Sequence, residues 1–145
     1  MLKKSAGLWI NNLKKIDFYV RFHASTNMSK QNLTELKCKP CEGGVPTLPI
    51  PEENMYLKEV DEWYIDREEE HKISKEFVLD DFKEAIDFVN RVGELAEKEG
   101  HHPNIHIYYN EVELVLYTHA IGGLSENDFI MAAKIDELFQ DYEEE

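Results

Sequence analysis

The sequence predicts an α+β domain in which a four-stranded, largely antiparallel sheet is covered by helices on one face, in the order α-β-β-α-β-β-α. Two patterns carry this prediction. Residues 105–109 and 112–116 alternate apolar and polar side chains as half-buried strands do, whereas residues 82–99 repeat apolar side chains at helical spacing. Because each pattern leaves one apolar face to bury, the sheet and the helices are expected to pack on each other.

The size and composition of the chain fit one globular domain. With 145 residues and 42% apolar content, the chain can bury a core without metal or disulfide staples. No apolar run approaches the ~20 residues that span a bilayer, so a membrane is not an expected partner. A net charge of -14 repels phosphate backbones, so nucleic acid is not expected to bind either.

Residues 1–27 differ from the rest in charge: they sum to +4, which leaves -18 for the remainder. They could be an organellar transit peptide, a secretory signal or an upstream extension, and Met28 is a plausible natural start. We predict a basic N-terminal extension over residues 1–27 that need not belong to the folded unit, and a domain over residues 28–145. The expected location is cytoplasmic, with organellar import if the extension is a genuine transit peptide.

Cys38 and Cys41 form the one C-x-x-C motif. A structural zinc site needs four ligands, and no second cysteine pair completes this one. The surrounding prolines and glycines favour a turn-rich segment, and two free thiols fit a reducing compartment. No metal is expected here.

The first half of the domain is predicted to hold one short helix and two strands. Pro51 can open a helix through Val60, with acidic residues in its first turn. Residues 63–65 are typical of a strand, and alternation over residues 71–79 predicts a second. His71 is expected to lie at the surface or at a sheet edge.

Two helices are predicted in the second half. Asp81 to Glu84 has the form of a capping box, and Gly100 ends this helix. Its apolar stripe is predicted to hold Phe82, Ala85, Ile86, Val89, Val92 and Ala96. A last helix starts at a similar box, Ser125 to Asp128, and its acidic end over residues 141–145 is expected to fray. Its apolar side is predicted to hold Ile130, Met131, Ile135, Leu138 and Phe139.

The strands over residues 105–109 and 112–116 are predicted to form a hairpin. With Asn110-Glu111 as a two-residue turn, Tyr109 faces Val112, Ile107 faces Leu114, Ile105 faces Leu116, and His102 meets His119 at the open end. A slip by one residue would turn the apolar side chains outward, so this register or one of the same parity is expected.

A stretch of nineteen residues that includes this hairpin holds four histidines, His101, His102, His106 and His119. Three interpretations are open. They could be metal ligands, although no carboxylate or thiolate lies at a convincing partner spacing. They could form a harmless polar face. Acid–base chemistry is favoured, because imidazole titrates near neutral pH and two imidazoles at one site can divide the acid and base roles.

The spacing of Glu97, His101-His102-Pro103, Tyr109, His119 and Asp128 resembles the signature of the pterin-4a-carbinolamine dehydratases. The similarity extends upstream and covers roughly residues 33–139. It runs through residues 38–46, which read CKPCEGGVP, through Trp63, and through residues 77–85, which read FVLDDFKEA. The family is expected to have the same fold.

The resemblance implies dehydration of 4a-hydroxytetrahydropterin to quinonoid dihydropterin without a cofactor, recycling the pterin of aromatic amino acid hydroxylases. It assigns acid–base work to His101 and His119 and substrate binding to His102, Glu97 and Pro103. The hairpin register instead faces His102 with His119, so the division of roles stays open.

Two further residues of the signature, Asp128 and Tyr109, are weaker site candidates, and Asp128 equally fits a helix cap. Animal members differ at three positions: an acid in place of Gly100, Ser in place of Tyr117 and Cys in place of Ile121. The resemblance also implies a homodimer or homotetramer. Because some relatives act as transcriptional or assembly partners, the alternative is a non-catalytic binding module of the same fold.

Overall fold

A computed structural model describes residues 33–40 and 46–144. The predicted extension over residues 1–27 lies outside the described residues, as does Cys41 of the C-x-x-C motif. Cys38 is half-buried, and its Sγ lies 3.7 Å from the backbone oxygen of Asn127.

Four strands form one antiparallel sheet. They are β1 (Tyr64–Asp66), β2 (Lys72–Val78), β3 (Asn104–Tyr108) and β4 (Glu111–Leu116). The spatial order is β1-β2-β4-β3, so β1 and β3 are the edges and β4 lies beside β2. The strands' buried side chains face one way, which leaves the other sheet face open.

Helix α1 (Ile50–Leu57) precedes the sheet, α2 (Phe82–Glu99) follows β2, and α3 (Glu126–Glu143) follows β4. This confirms the predicted α+β class and the predicted order of elements. Helix α1 ends earlier than predicted, because its C-cap is Lys58 and the chain then turns before the buried Val60. No helix in the described part of the chain is long and apolar enough to cross a membrane.

The ends of α2 lie at the predicted residues, although the Glu84 side chain accepts from the backbone N–H of Asp80 and not from that of Asp81. The Asp81 side chain accepts a hydrogen bond from the backbone N–H of Glu84 at 2.9 Å. At the other end Gly100 has a φ of 67°, a left-handed conformation that glycine adopts without a Cβ penalty. The chain therefore leaves α2 abruptly, and His101 is the next residue.

The core lies between the closed sheet face and helices α2 and α3. Its centre is aromatic: the ring centroids of Phe77 and Phe88 are 5.0 Å apart, and those of Phe77 and Phe139 are 4.9 Å apart. The predicted stripe of α2 is wrong at two positions, because Phe82 is 51% exposed and Phe88 is fully buried. Around these rings the core contains Ile73, Val112, Leu114, Leu116, Ala85, Val92, Ala96, Phe129, Ile130, Met131 and Ile135.

The predicted hairpin register is wrong by two residues. Ile105 pairs with Leu114 and Ile107 with Val112, so the turn is Tyr109-Asn110 instead of Asn110-Glu111. The backbone and side chain of Asn110 both bond to Leu79 at the end of β2, which fixes the turn in this place. Because the shift is two residues, the parity is kept and the predicted sheet faces are correct.

The predicted fraying of the last helix is also wrong for residues 141–143, because α3 continues to Glu143. Two contacts hold its last turn against α2. Arg91 pairs with Asp141 at 3.1 Å, and the Tyr142 hydroxyl donates to Asp87 at 2.5 Å. Burial and the Asp87 carboxylate raise the pKa of Tyr142 to about 12, so the hydroxyl stays protonated as this bond requires.

Candidate active site

The His101 side chain is held by a buried carboxylate. His101 follows the glycine cap of α2 and is only 4% exposed, and its Nε2 lies 2.6 Å from Oδ1 of the fully buried Asp128. The other oxygen, Oδ2, accepts hydrogen bonds from Thr118 Oγ1 at 2.8 Å and from the backbone N–H of Ser125 at 2.9 Å. An ionised carboxylate only accepts, so this donor set suits the anion with the Nε2 proton on His101.

Asp128 therefore forms the helix cap that its sequence position suggested, and it also contacts His101. Its bond to the Ser125 N–H is the return half of the capping box that begins α3. Its remaining oxygen is turned toward His101. The helix cap fixes the carboxylate, and the carboxylate fixes the imidazole.

His102 points the opposite way from His101 and is exposed. Its Nε2 lies 2.7 Å from Oε1 of Glu97, which is on the last turn of α2. Both side chains are solvent-exposed, at 60% for His102 and 80% for Glu97, so this pair adds little stability. It does orient the exposed His102 imidazole beside the C-terminal end of α2.

His119 lies just beyond β4 and is exposed. Its imidazole packs against the ring of Tyr117, with centroids 3.9 Å apart and ring planes at 44°. Lys72 on the neighbouring strand places its ammonium 4.7 Å from the centroid of the same Tyr117 ring. His119 thus belongs to a row of side chains on the open sheet face.

The observed register places these histidines at the same end of the hairpin. Continued beyond the last paired residues, it places His101 opposite Thr118 and His102 opposite Tyr117, instead of His102 opposite His119. His101 and Thr118 point to the helix side, where both contact Asp128, while Tyr117 and His119 lie on the open side. The three predicted histidines therefore gather at one end of the hairpin.

Three other residues lie differently. Pro103 is half-buried directly after the histidine pair, beside the site. His106 is exposed within β3. Tyr109 is 68% exposed in the hairpin turn with a φ of 57°. At about 3.3 Å per strand residue, that turn is roughly 20 Å from the histidines, so the structure does not bring Tyr109 to this end of the sheet.

A short N-terminal segment is tied down beside the site. The backbone N–H of Cys38 donates to Glu99 at 3.0 Å, and Lys39 exchanges two backbone hydrogen bonds with the Asn127 side chain. Burial raises the pKa of Glu99, but hydrogen bonds from Lys134 and Cys38 outweigh it and hold that pKa below its usual value. The ionised Glu99 therefore anchors this segment to the end of α2.

A third histidine–carboxylate pair was missed from the sequence. Glu53 of α1 is fully buried, and its two oxygens lie 2.7 Å from His71 Nδ1 and 2.9 Å from Arg67 Nε. His71 is thus half-buried and paired, and the expectation of a histidine at the surface or at a sheet edge did not include this pairing. An acid among surface residues of a short helix gives no sequence signal of burial. Within residues 33–40 and 46–144, no three His, Cys, Asp or Glu side chains are placed to hold a metal ion.

Comparison with known proteins decides the family. The family model described as pterin 4 alpha carbinolamine dehydratase matches residues 47–138, which include every residue of the site above. The chain belongs to this family. Pterin carbinolamine dehydratases are hydro-lyases, and the resemblance predicted from the histidine spacing is confirmed.

Individual relatives agree. Two bacterial proteins provisionally named pterin-4-alpha-carbinolamine dehydratase, from Rubrobacter xylanophilus and Methylococcus capsulatus, are 44% and 45% identical to this chain. They cover 73% and 77% of it, and 97% and 96% of their own lengths are matched. A crystal structure of a transcriptional coactivator/pterin dehydratase from Brucella melitensis matches with a TM-score of 0.60 and 34% identity. It covers 63% of this chain and 97% of its own.

Proposed function

We propose that the protein dehydrates 4a-hydroxytetrahydropterin to quinonoid dihydropterin by histidine acid–base catalysis, and so recycles the pterin of aromatic amino acid hydroxylases. The observation that carries this proposal is the pairing of His101 with buried Asp128 at the sheet end where His119 is exposed, in a chain of the dehydratase family. Loss of water from the pterin needs one proton delivered to the leaving hydroxyl on C4a and one removed from N5.

His101 is proposed as the base that takes the N5 proton. Its partner Asp128 holds the ring in one orientation and stabilises the imidazolium that forms, as the carboxylate of a catalytic triad does. The small exposed fraction of His101 fits a group that meets the substrate along one edge of its ring.

His119 is proposed as the acid. As an imidazolium it donates a proton to the C4a hydroxyl, the C–O bond breaks with its electron pair on the departing water, and the N5–H electrons form the N5–C4a double bond. One proton is given and one is taken, so no net charge accumulates on the site. An exposed position suits this role, because His119 regains its proton from solvent after each turnover.

The substrate is proposed to lie across the end of the sheet, reaching from the edge where His101 is held by Asp128 to the open face that carries His119. His102, held by Glu97 at the end of α2, is proposed to contact the pterin, and Pro103 to shape the edge of the site. Tyr109 is proposed to act only if a second copy of the chain brings its hairpin turn to this face, because the turn is distant within one copy. Assembly as a homodimer or homotetramer and a cytoplasmic location remain predictions.

The full chain should accelerate dehydration of freshly generated 4a-hydroxytetrahydropterin with no added metal, because imidazoles can supply both proton transfers. The rate is measured by absorbance after rapid mixing, before and after exhaustive treatment with a chelator. Retained rate is expected. A rate that disappears with the chelator and returns with zinc would show metal catalysis and contradict the proposal.

His102→Ala should raise KM with kcat nearly kept, because a contact made equally in the bound and transition states is lost. Steady-state kinetics on the same substrate measure both constants. His106→Ala is the matched control, since His106 is exposed on the same hairpin but lies away from the cluster; its kinetics should not change. A large fall in kcat for His102→Ala would move the acid–base role to His102.

The second candidate function is a non-catalytic binding module. The Brucella melitensis protein is described as a transcriptional coactivator as well as a pterin dehydratase, which makes a protein partner a reasonable alternative for this fold. The dehydratase assay separates the two candidates. A folded full-length protein that does not accelerate the reaction at all would favour the binding module.

A further inference from the structure

The contact between Tyr117 and His119 has no assigned role. The two side chains leave the chain two residues apart and therefore point to the same sheet face, with ring centroids 3.9 Å apart. An exposed histidine on a turn would otherwise exchange between several rotamers. The Tyr117 ring occupies one side of the imidazole and limits which rotamers it can adopt.

Tyr117 is itself held from the other side. Lys72 lies beside it on β2, and the Lys72 ammonium is 4.7 Å from the ring centroid, within the range of a cation–π contact. Asp66 of β1 is the cross-strand partner of Lys72. A row of side chains thus runs from the edge strand across the open face to His119.

We propose that Tyr117 is a positioning residue: its ring presents the His119 imidazole to the substrate, and Lys72 holds the ring in place. The inference deepens the proposed function and rests on it. Tyr117 acts through His119, so it adds nothing when His119 is absent. Misplacing a proton donor by a fraction of an ångström lowers the rate of the chemical step more than it lowers binding.

The test is a double-mutant cycle measured on 4a-hydroxytetrahydropterin. Tyr117→Ala should lower kcat about tenfold with KM changed less than about twofold. Tyr117→Phe keeps the ring and should restore kcat to within about twofold. In a His119→Ala background, Tyr117→Ala should cause no further loss. Lys72→Met should lower kcat in the same direction as Tyr117→Ala, by a smaller factor.

A structural readout accompanies the kinetics. The His119 ring protons should show a ring-current shift in NMR spectra of the wild-type and Tyr117→Phe proteins, and lose it in Tyr117→Ala. Tyr108→Ala is the matched control, because Tyr108 is an exposed tyrosine on the same sheet face at the far end of the hairpin. It should leave kcat and the His119 resonances unchanged.

Three results would overturn the role of Tyr117. They are an unchanged kcat in Tyr117→Ala, an equal loss with and without His119, or a fall in melting temperature large enough to explain the loss. An inactive wild-type protein would refute the proposed function instead. An active wild-type protein with an unaffected Tyr117→Ala variant would refute only the positioning role.

Discussion

His101→Ala and His119→Ala should each lower kcat by about 10²–10⁴-fold, the usual contribution of a general acid or base. Each substitution removes one of the two proton transfers that the dehydration needs. The measurement is kcat on freshly generated 4a-hydroxytetrahydropterin, with melting temperatures recorded in parallel because His101 is buried.

Asp128→Asn tests whether the Asp128 carboxylate contributes to catalysis by orienting the His101 imidazole, because His101 itself is kept. The amide oxygen can still accept from Ser125 and Thr118, so the helix cap is kept, but the charge that faces His101 is lost. We expect kcat to fall about 10²-fold with KM little changed, in a protein that still folds. An Asp128→Asn variant with wild-type kcat would show that the carboxylate is only a cap.

Lys75→Met should destabilise the protein by about 3–5 kcal/mol at neutral pH, the usual result of removing one partner of a buried ion pair. The Lys75 ammonium lies on the helix side of β2, 2.9 Å from Asp136, and their side chains are only 10% and 11% exposed. Asp136 also accepts from the Trp63 indole at 3.1 Å. Without Lys75, a buried carboxylate keeps one indole and one backbone donor but no counter-charge.

The destabilisation caused by Lys75→Met should depend on pH in a defined direction. Burial raises the pKa of Asp136, and Lys75 opposes that rise. In Lys75→Met the folded-state pKa should rise further above its unfolded value. A raised carboxyl pKa contributes stability that is present at low pH and lost as pH rises through the folded pKa. The difference from wild type should therefore be largest at pH 7 and shrink as the pH falls toward the ordinary aspartate range.

Denaturant unfolding at pH 7 and pH 5 measures this difference. Lys39→Met is the matched control, because Lys39 pairs with Glu126 at 3.3 Å but its side chain is 80% exposed. Lys39→Met should lower the free energy of unfolding by no more than about 1 kcal/mol. A destabilisation by Lys75→Met that is equal at both pH values would show that lost packing, and not an uncompensated charge, is responsible.

The fold could be predicted from the sequence wherever local sequence rules and tertiary packing favour the same structure. Helix α2 begins and ends at the predicted residues because Asp81 caps its start and Gly100 its end. The sheet faces were correct because a period of two fixes parity. The hairpin register was predicted wrongly, because it depends on the hydrogen bond between Asn110 and Leu79, which are thirty-one residues apart. It also depends on a positive φ at Tyr109, and tyrosine rarely signals a turn.

The candidate site, too, could be predicted only where local sequence patterns determine it. The histidine spacing pointed to the family, and the capping-box pattern located Asp128, but no local rule indicates that one carboxylate serves both the cap and His101. The pairing of His71 with buried Glu53 and the packing of Tyr117 on His119 arise from contacts between elements. Such contacts exist only once the sheet order β1-β2-β4-β3 is formed.

The most direct test of the two-imidazole mechanism is kcat for the double variant His101→Ala/His119→Ala beside the two single variants. If both imidazoles serve one substrate as acid and base, the combined loss should fall far short of the product of the single losses, because a site without one proton transfer gains little from the other. Full activity in the double variant would contradict the mechanism and place the chemistry elsewhere. Losses that multiply would show that the two histidines act independently.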